Sequence, residues 1–292
     1  MLEAQGEGLM EGKVCIVTGA NSGIGKATAI GLAKMGATVV IVCRNPRAGE
    51  AAVENIVAES GNSHVALLIA DLSSQAAIRQ LVEDFRSQYE QLHVLINNAG
   101  IAPVKRSVTV DGIEMTLAVN YLAPFLLTNL LTNMLKASAP ARVVNVAGDY
   151  HRKATIDFDD LMSENNYSGT RANNQAKLAL ILFTYELSRH LEGTGVTVNC
   201  LHPGAVATDA PLKDPNLPPL SRLLYKLVRI FFSSPSRGAA TSIFLASSPD
   251  VEGITGKYFI KQAAVASSPE SYDLEVAKRL WDVSANLTGL AG

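Results

Sequence analysis

Cysteine is scarce: Cys15, Cys43 and Cys200 are the only three in 292 residues. Each falls in an apolar, strand-like run, so the sequence predicts buried thiols in a reducing compartment rather than a disulfide framework. These thiols and the five histidines are too scattered for a metal-ligand spacing, and no metal site is expected. Charge of one sign is lacking too. The formal net charge is −2, the sequence pI is near 6.2, and no Lys/Arg block stands out, which argues against a nucleic-acid partner. No apolar run approaches the ~20 residues that a spanning helix needs. The opening stretch MLEAQGEGLMEGK has neither a basic start nor an apolar core. No signal peptide or transmembrane segment is therefore expected, and the protein reads as cytoplasmic.

A composition of 48% hydrophobic and 18% charged residues suits a large buried core. β-Branched runs at 13–19, 37–44, 64–71, 92–100, 141–148 and 195–204 read as strands. Amphipathic stretches at 23–35, 46–59, 74–88, 111–136 and 171–191 read as the helices between them. Continuous apolar strands separated by helices predict an α/β fold: one Rossmann-type, doubly wound parallel sheet with helices on both faces, spanning 1–292 as a single domain. The proline-rich stretch DAPLKDPNLPPLSRLLYKLVRIFFSSP breaks this rhythm. It predicts a lid or substrate loop at about 205–234, emerging at the carboxyl end of the sixth strand. Its helix at 220–232 carries Arg222, Lys226 and Arg229 beside Leu223, Leu227 and Phe231, a pattern that suits either an apolar substrate cover or a membrane surface.

The motif TGANSGIG follows a strand and opens a helix, so Gly19, Asn21, Ser22, Gly23, Ile24 and Gly25 are expected to cradle a dinucleotide pyrophosphate. Taken alone, the glycines are also compatible with simple turns; the strand–loop–helix setting favours binding. Nineteen residues past Gly25, at the end of the second strand, stands Arg44. An acid there would hold the ribose 2′-hydroxyl of NAD, whereas an arginine accommodates the 2′-phosphate of NADP(H). Lys26 adds positive charge nearby, although both cations also fit an ordinary surface.

With these motifs in the same chain as DLSS from Asp71, NNAG from Asn97, VNYLAPFLLTNLL around Asn120, and HPG at 202–204, the sequence resembles the short-chain dehydrogenase/reductase family over almost its whole length. It is most similar to the retinol dehydrogenase-like branch. The resemblance implies that Asp71 and Leu72 flank the adenine, that Asn98, Ala99 and Gly100 line the cofactor, and that Asn120 holds the active-site helix. It further implies that Lys177 binds the nicotinamide ribose, that Pro203, Gly204, Val206 and Thr208 lie near the nicotinamide carboxamide, and that the helices at 111–136 and 171–191 form homo-oligomers.

Two family positions are altered. The catalytic serine position, three residues after Asn145, is Gly148, and the catalytic tyrosine position, four before Lys177, is Asn173. A carboxamide donates hydrogen bonds but has no useful proton near neutral pH. Losing general acid–base help costs about 10²–10⁴ in rate, and losing one oxyanion donor costs about 10²–10³. Asp149, Tyr150 and His151 leave the fifth strand at the catalytic end and are candidate substitutes, although a polar surface turn is the favoured account of them. Lys177 is a further candidate proton source.

Three functional readings remain. The first is an NADP(H)-dependent oxidoreductase with atypical proton delivery, acting on a small, apolar molecule with an activated double bond or a carbonyl. The others are a non-redox isomerase, lyase or cyclase on the same scaffold, and an NADP(H)-binding protein without chemistry.

Overall fold

The computed structural model describes residues 8–290 except 166, 207–215, 217, 219–221 and 223–232. Its strands are β1 (Val14–Thr18), β2 (Thr38–Cys43), β3 (Val65–Ile69), β4 (Val94–Asn97), β5 (Ala141–Val146), β6 (Val196–His202), β7 (Tyr258–Ile260) and β8 (Ala263–Val265). They form one eight-stranded sheet in the order β3-β2-β1-β4-β5-β6-β7-β8, parallel up to β7, with β8 antiparallel at the edge. The helices are α1 (Gly23–Lys34), α2 (Pro46–Ser60), α3 (Gln75–Arg86), α4 (Met115–Ala137), α5 (Gly169–His190), α6 (Pro235–Ser247) and α7 (Leu274–Leu287).

Successive strand residues point to opposite faces, so each strand feeds two cores. Ile16, Val40 and Val143 pack on one face under α3, α4, α5 and α7. Cys15, Val39 and Val144 pack on the other under α1, α2 and α6. All three cysteines are buried and free. Helix starts follow capping chemistry: Asn45, Ser74, Ser168, Ser234 and Asp273 each accept a first-turn N–H.

Three features depart from the sequence expectations. Helix α4 starts at Met115, not at 111, because the buried Glu114 side chain accepts the N–H groups of Thr116 and Leu117. It is 23 residues long with a mean hydropathy of 1.3, enough by length and composition to cross a membrane, yet 78% of that window is buried in the protein. It is a core helix here, its apolar character broken up by Asn and Thr residues when read as a simple run. It also contains a π-helical turn at Ala118–Leu122, an arrangement often found at functional sites.

The third departure is at the carboxyl end, where β7, β8 and α7 were not anticipated. Helix α7 sets Trp281 against Phe125 and Phe183, with ring centroids 5.1 and 5.8 Å apart, and Ser284 meets the Tyr121 hydroxyl at 2.6 Å. The chain's own last helix thus packs on both α4 and α5, the two helices expected to pair with a second copy. The expected lid helix lies, apart from Arg222, outside the described residues.

Candidate nucleotide and catalytic site

Strand order reverses at β1, which lies between β2 and β4, so the loops leaving β1 and β4 open a crevice between them. The two loops pack very tightly against each other at the base of the crevice. A Cβ on Gly25 would stand 2.5 Å from the Gly19 carbonyl oxygen, and one on Gly19, whose φ is +65°, would stand 2.9 Å from the Ala99 Cα. Only glycine fits either place. Thr18 Oγ1 accepts the N–H groups of Asn98 and Ala99 at 2.9 and 3.0 Å, and the Asn98 amide donates to the Thr18 carbonyl at 2.8 Å. The glycine loop and the Asn98–Gly100 segment are therefore one unit.

Helix α1 begins beside this unit. Ser22 sits at its N-cap without a side-chain cap bond, and the first turn contains no acid. Its N–H groups and positive dipole end suit a diphosphate, so the donor set fits a dinucleotide. Asn21, Gly23 and Ile24 belong to the same turn, and the Ile24 and Val206 side chains both pack on Gly238, where an added Cβ would stand 3.2 Å from Ile24 and 2.6 Å from Val206. Gly238 thus links the start of α1 to the loop that carries Pro203 and Gly204. Thr208 lies outside the described residues.

Arg44 is exposed directly after β2. Lys26, the other cation singled out in the sequence, donates one ammonium hydrogen to Asn55 on α2 at 2.6 Å. A second cation that the sequence reading did not single out, Arg47, stands exposed in the first turn of α2 behind the Asn45 cap. The spacing RNPR was the available signal. Asp71 turns its carboxylate onto Ser73, bonding both its N–H and its hydroxyl, while Leu72 packs against the core.

On the catalytic side, the π-helical turn holds Asn120 buried. Its Oδ1 accepts the Ile101 N–H and its Nδ2 donates to the Ile101 carbonyl, both at 2.8 Å, and Nδ2 also donates to Asn173 Oδ1 at 3.1 Å. One turn along α5, Lys177 Nζ donates to the Val146 carbonyl at 3.0 Å. Burial pulls the Lys177 ammonium down to about 8. A Cβ on Gly100 would lie 3.4 Å from Asn120 Oδ1 and 3.8 Å from Lys177 Nζ, so the two flank the end of β4. At Gly148, a Cβ would meet nothing nearer than Tyr150 Cδ2 at 3.7 Å.

The three substitutes expected after Gly148 do not act as a group. Asp149 forms an ion pair with Arg152 at 2.6 Å, and Arg152 also donates to the Ala266 carbonyl. Tyr150 is 61% exposed. His151 is fully buried, and both ring nitrogens are engaged: Nε2 accepts the Ser268 N–H at 3.1 Å and Nδ1 meets the Gly148 carbonyl at 2.7 Å. The N–H donor fixes the proton on Nδ1. Burial pushes the imidazole below its ordinary range. As arranged, His151 fastens the 149–153 turn to the segment after β8 and offers no nitrogen to a substrate. Tyr167 lies elsewhere, its hydroxyl donating to the Pro103 carbonyl at 3.2 Å.

Beneath the site runs a buried polar chain that the sequence reading did not identify. Asn97 Nδ2 donates to Thr128 Oγ1 and to Asn145 Oδ1, and Asn145 Nδ2 donates to Thr184 Oγ1. It ties β4 and β5 to α4 and α5 just below Asn120 and Asn173. The signal was an asparagine near the end of each of two neighbouring apolar strands, paired in register.

The sequence profile of the short chain dehydrogenase family matches residues 13–214, the stretch that carries this whole constellation. The chain belongs to that family. It is 45% identical to "Retinol dehydrogenase 14" of Homo sapiens, over 97% of this chain and 88% of the relative. To "Retinol dehydrogenase 13" of Homo sapiens it is 43% identical, over 96% and 85%. Among solved structures, an uncharacterised protein from Mycobacterium paratuberculosis superposes with a TM-score of 0.77 at 30% identity, covering 98% of this chain and 97% of that one. A structure titled as an NAD(P)-dependent gluconate 5-dehydrogenase from Beutenbergia cavernae, with NADP bound, gives a TM-score of 0.68 at 25% identity, covering 87% and 97%. This short-chain dehydrogenase is thus a member of an oxidoreductase family that works with a nicotinamide cofactor, in its retinol dehydrogenase-like branch.

Proposed function

We propose that this short-chain dehydrogenase is an NADP(H)-dependent oxidoreductase whose proton delivery does not use a phenol. The observation that carries the reading is a pairing. The sequence carries the expected nucleotide-binding positions and Lys177, while the tyrosine and serine positions hold Asn173 and Gly148. When bound, the nicotinamide supplies or takes a hydride. Gly19, Gly23 and Gly25 with the start of α1 would hold the diphosphate, and Asp71 and Leu72 would flank the adenine. Asn98 to Gly100, Lys177, Pro203, Gly204, Val206 and Thr208 would hold the nicotinamide half. Arg44, with Arg47 close by, supports NADP(H) over NAD(H), because guanidinium groups favour a 2′-phosphate.

The names of the relatives point to an apolar alcohol or aldehyde as substrate, and the segment 205–234 is proposed as its cover. Reducing a simple ketone needs a proton at oxygen as the hydride arrives, which Asn173 does not supply. An activated carbon–carbon or carbon–nitrogen double bond needs less acid help, so we favour that substrate class. A single domain and a cytoplasmic location accompany this reading, the latter supported by three buried free thiols. Helix α7 over α4 and α5 supports a monomer at that face.

The test is NADPH consumption against a panel of conjugated aldehydes and ketones, imines, simple ketones and secondary alcohols. Stoichiometric turnover confined to activated double bonds is expected. Product formation without NADPH consumption would favour the non-redox reading. Tight NADPH binding with no conversion of any compound would favour the binding protein.

A further inference from the structure

A second cavity lies away from the nucleotide crevice, between α5, α7 and the residues that lead into β7. Its volume is about 250 Å³, room for a small organic molecule. Tyr185 lines it, about two helical turns past Lys177 on α5 and so roughly 12 Å further along that helix. The lining residues Tyr185, Ser271 and Ala277 are buried. Gly256 completes this wall with bare backbone. Its φ is +66°, and a Cβ there would stand 2.7 Å from the Ser188 Oγ, so the space is kept by a glycine that a larger residue cannot replace.

The hydroxyl groups around this wall are already engaged with one another. Ser271 Oγ donates its one hydrogen to the Ser268 carbonyl, so it accepts from Ser267, and Ser267 in turn accepts from the Tyr185 hydroxyl. The Tyr272 hydroxyl accepts the Ser267 N–H at 3.1 Å. Both phenol oxygens are thus held at Ser267, and the Tyr185 and Tyr272 rings stack with centroids 5.3 Å apart. What the two rings offer a ligand is carbon surface. Tyr272 and Leu274 are each 51% exposed and extend that apolar surface to the mouth.

Two cations line the same cavity. Arg189 donates through Nε to Glu186 Oε2 at 3.0 Å and through Nη2 to the same oxygen. This pairing fixes the guanidinium and leaves Nη1 without a hydrogen bond among the described residues. The Lys257 ammonium, on an exposed residue, has no bond partner among them either. The one acid in the lining, Asp273, caps α7 by accepting the Val276 N–H at 3.0 Å. We propose that this cavity is a second ligand site, for a small carboxylate with an apolar body. The carboxylate meets Arg189 and Lys257, a guanidinium and an ammonium that suit it by charge-assisted hydrogen bonding. The body lies against Tyr272, Leu274 and Ala277. The site is separate from the redox reaction proposed above and does not rest on it.

Calorimetric titration of the full chain with phenylacetate tests the site, with phenylacetamide as the control for charge and acetate as the control for the ring. One phenylacetate per chain is expected, with a Kd of about 1 mM or tighter and each control weaker by about tenfold or more. Lys257→Glu reverses one of the two charges, and Leu274→Glu places a charge on the apolar wall. Both positions are exposed, and each change should weaken phenylacetate by about tenfold. The two controls use the wild-type chain, so they decide the matter even where a variant does not fold. No binding of phenylacetate, equal binding of phenylacetamide or acetate, or indifference to either substitution in a folded variant would overturn the proposal.

Discussion

The two halves of the crevice tolerate change very differently. Around β1, α1 and the end of β4, backbone approaches backbone so closely that a single added carbon at Gly25 would overlap the Gly19 carbonyl. Around the end of β5 and α5, the same added carbon at Gly148 would meet only ordinary van der Waals contact. One half is built from main-chain geometry that admits only glycine at Gly19 and Gly25. The other works through side-chain chemistry held on a separate polar framework, so its reactive groups can change while Asn97, Asn145, Asn120 and Lys177 stay in place. The Asn173 carboxamide thus stands beside an intact polar framework.

The largest effect should come from closing that difference. Open space surrounds Gly148, although its φ of +159° favours glycine, so a serine there requires the turn to shift. The double change Gly148→Ser, Asn173→Tyr should raise simple ketone reduction by about 10²–10⁴, followed as NADPH oxidation. Gly25→Ala attacks the intolerant half. The clash is with backbone that cannot step aside, so we expect a loss of about 1–3 kcal/mol in stability by thermal unfolding, with NADPH affinity reduced as well. Arg44→Ser should cost NADPH about tenfold or more in affinity while leaving NADH nearly unchanged, since a charge-assisted contact contributes about 1.5–3 kcal/mol.

The smallest effect concerns Lys177. Below pH 8 it is charged in both the folded and unfolded chain, and the folded state bears the full desolvation cost. Between about 8 and the ordinary 10.5 the unfolded chain holds the extra proton, so wild-type stability rises with pH across that window. Lys177→Met should accordingly be more stable than wild type by ~1 kcal/mol near neutral pH, and the gap should shrink towards pH ~10 in urea titrations. A gap that widens with pH would contradict the burial of a charged ammonium.

The first six strands were legible in the sequence because buried parallel strands read as unbroken apolar runs. Strands β7 and β8 were not: each is three residues long, β8 is exposed throughout, and neither makes a run. Helix α7 hides its role in spacing, with Leu280, Trp281 and Ser284 among charged neighbours. In the site, the glycine pattern TGANSGIG was readable because only one residue type meets the need. His151 misled for the opposite reason. Its burial depends on the Ser268 backbone 117 residues away, which local sequence does not reveal. Lys26 likewise faces Asn55 on the next helix, a partner that no motif encodes.

The central claim is that a working NADP(H) cradle persists beside a carboxamide that cannot act as an acid. Calorimetric titration of the wild-type chain and of Asn173→Tyr with NADPH and NADH tests it most directly. The account predicts one NADPH per chain in both proteins with affinities within a few-fold of each other, and NADH weaker by tenfold or more. No heat of NADPH binding in the wild type, or binding that appears only when the tyrosine is restored, would contradict it.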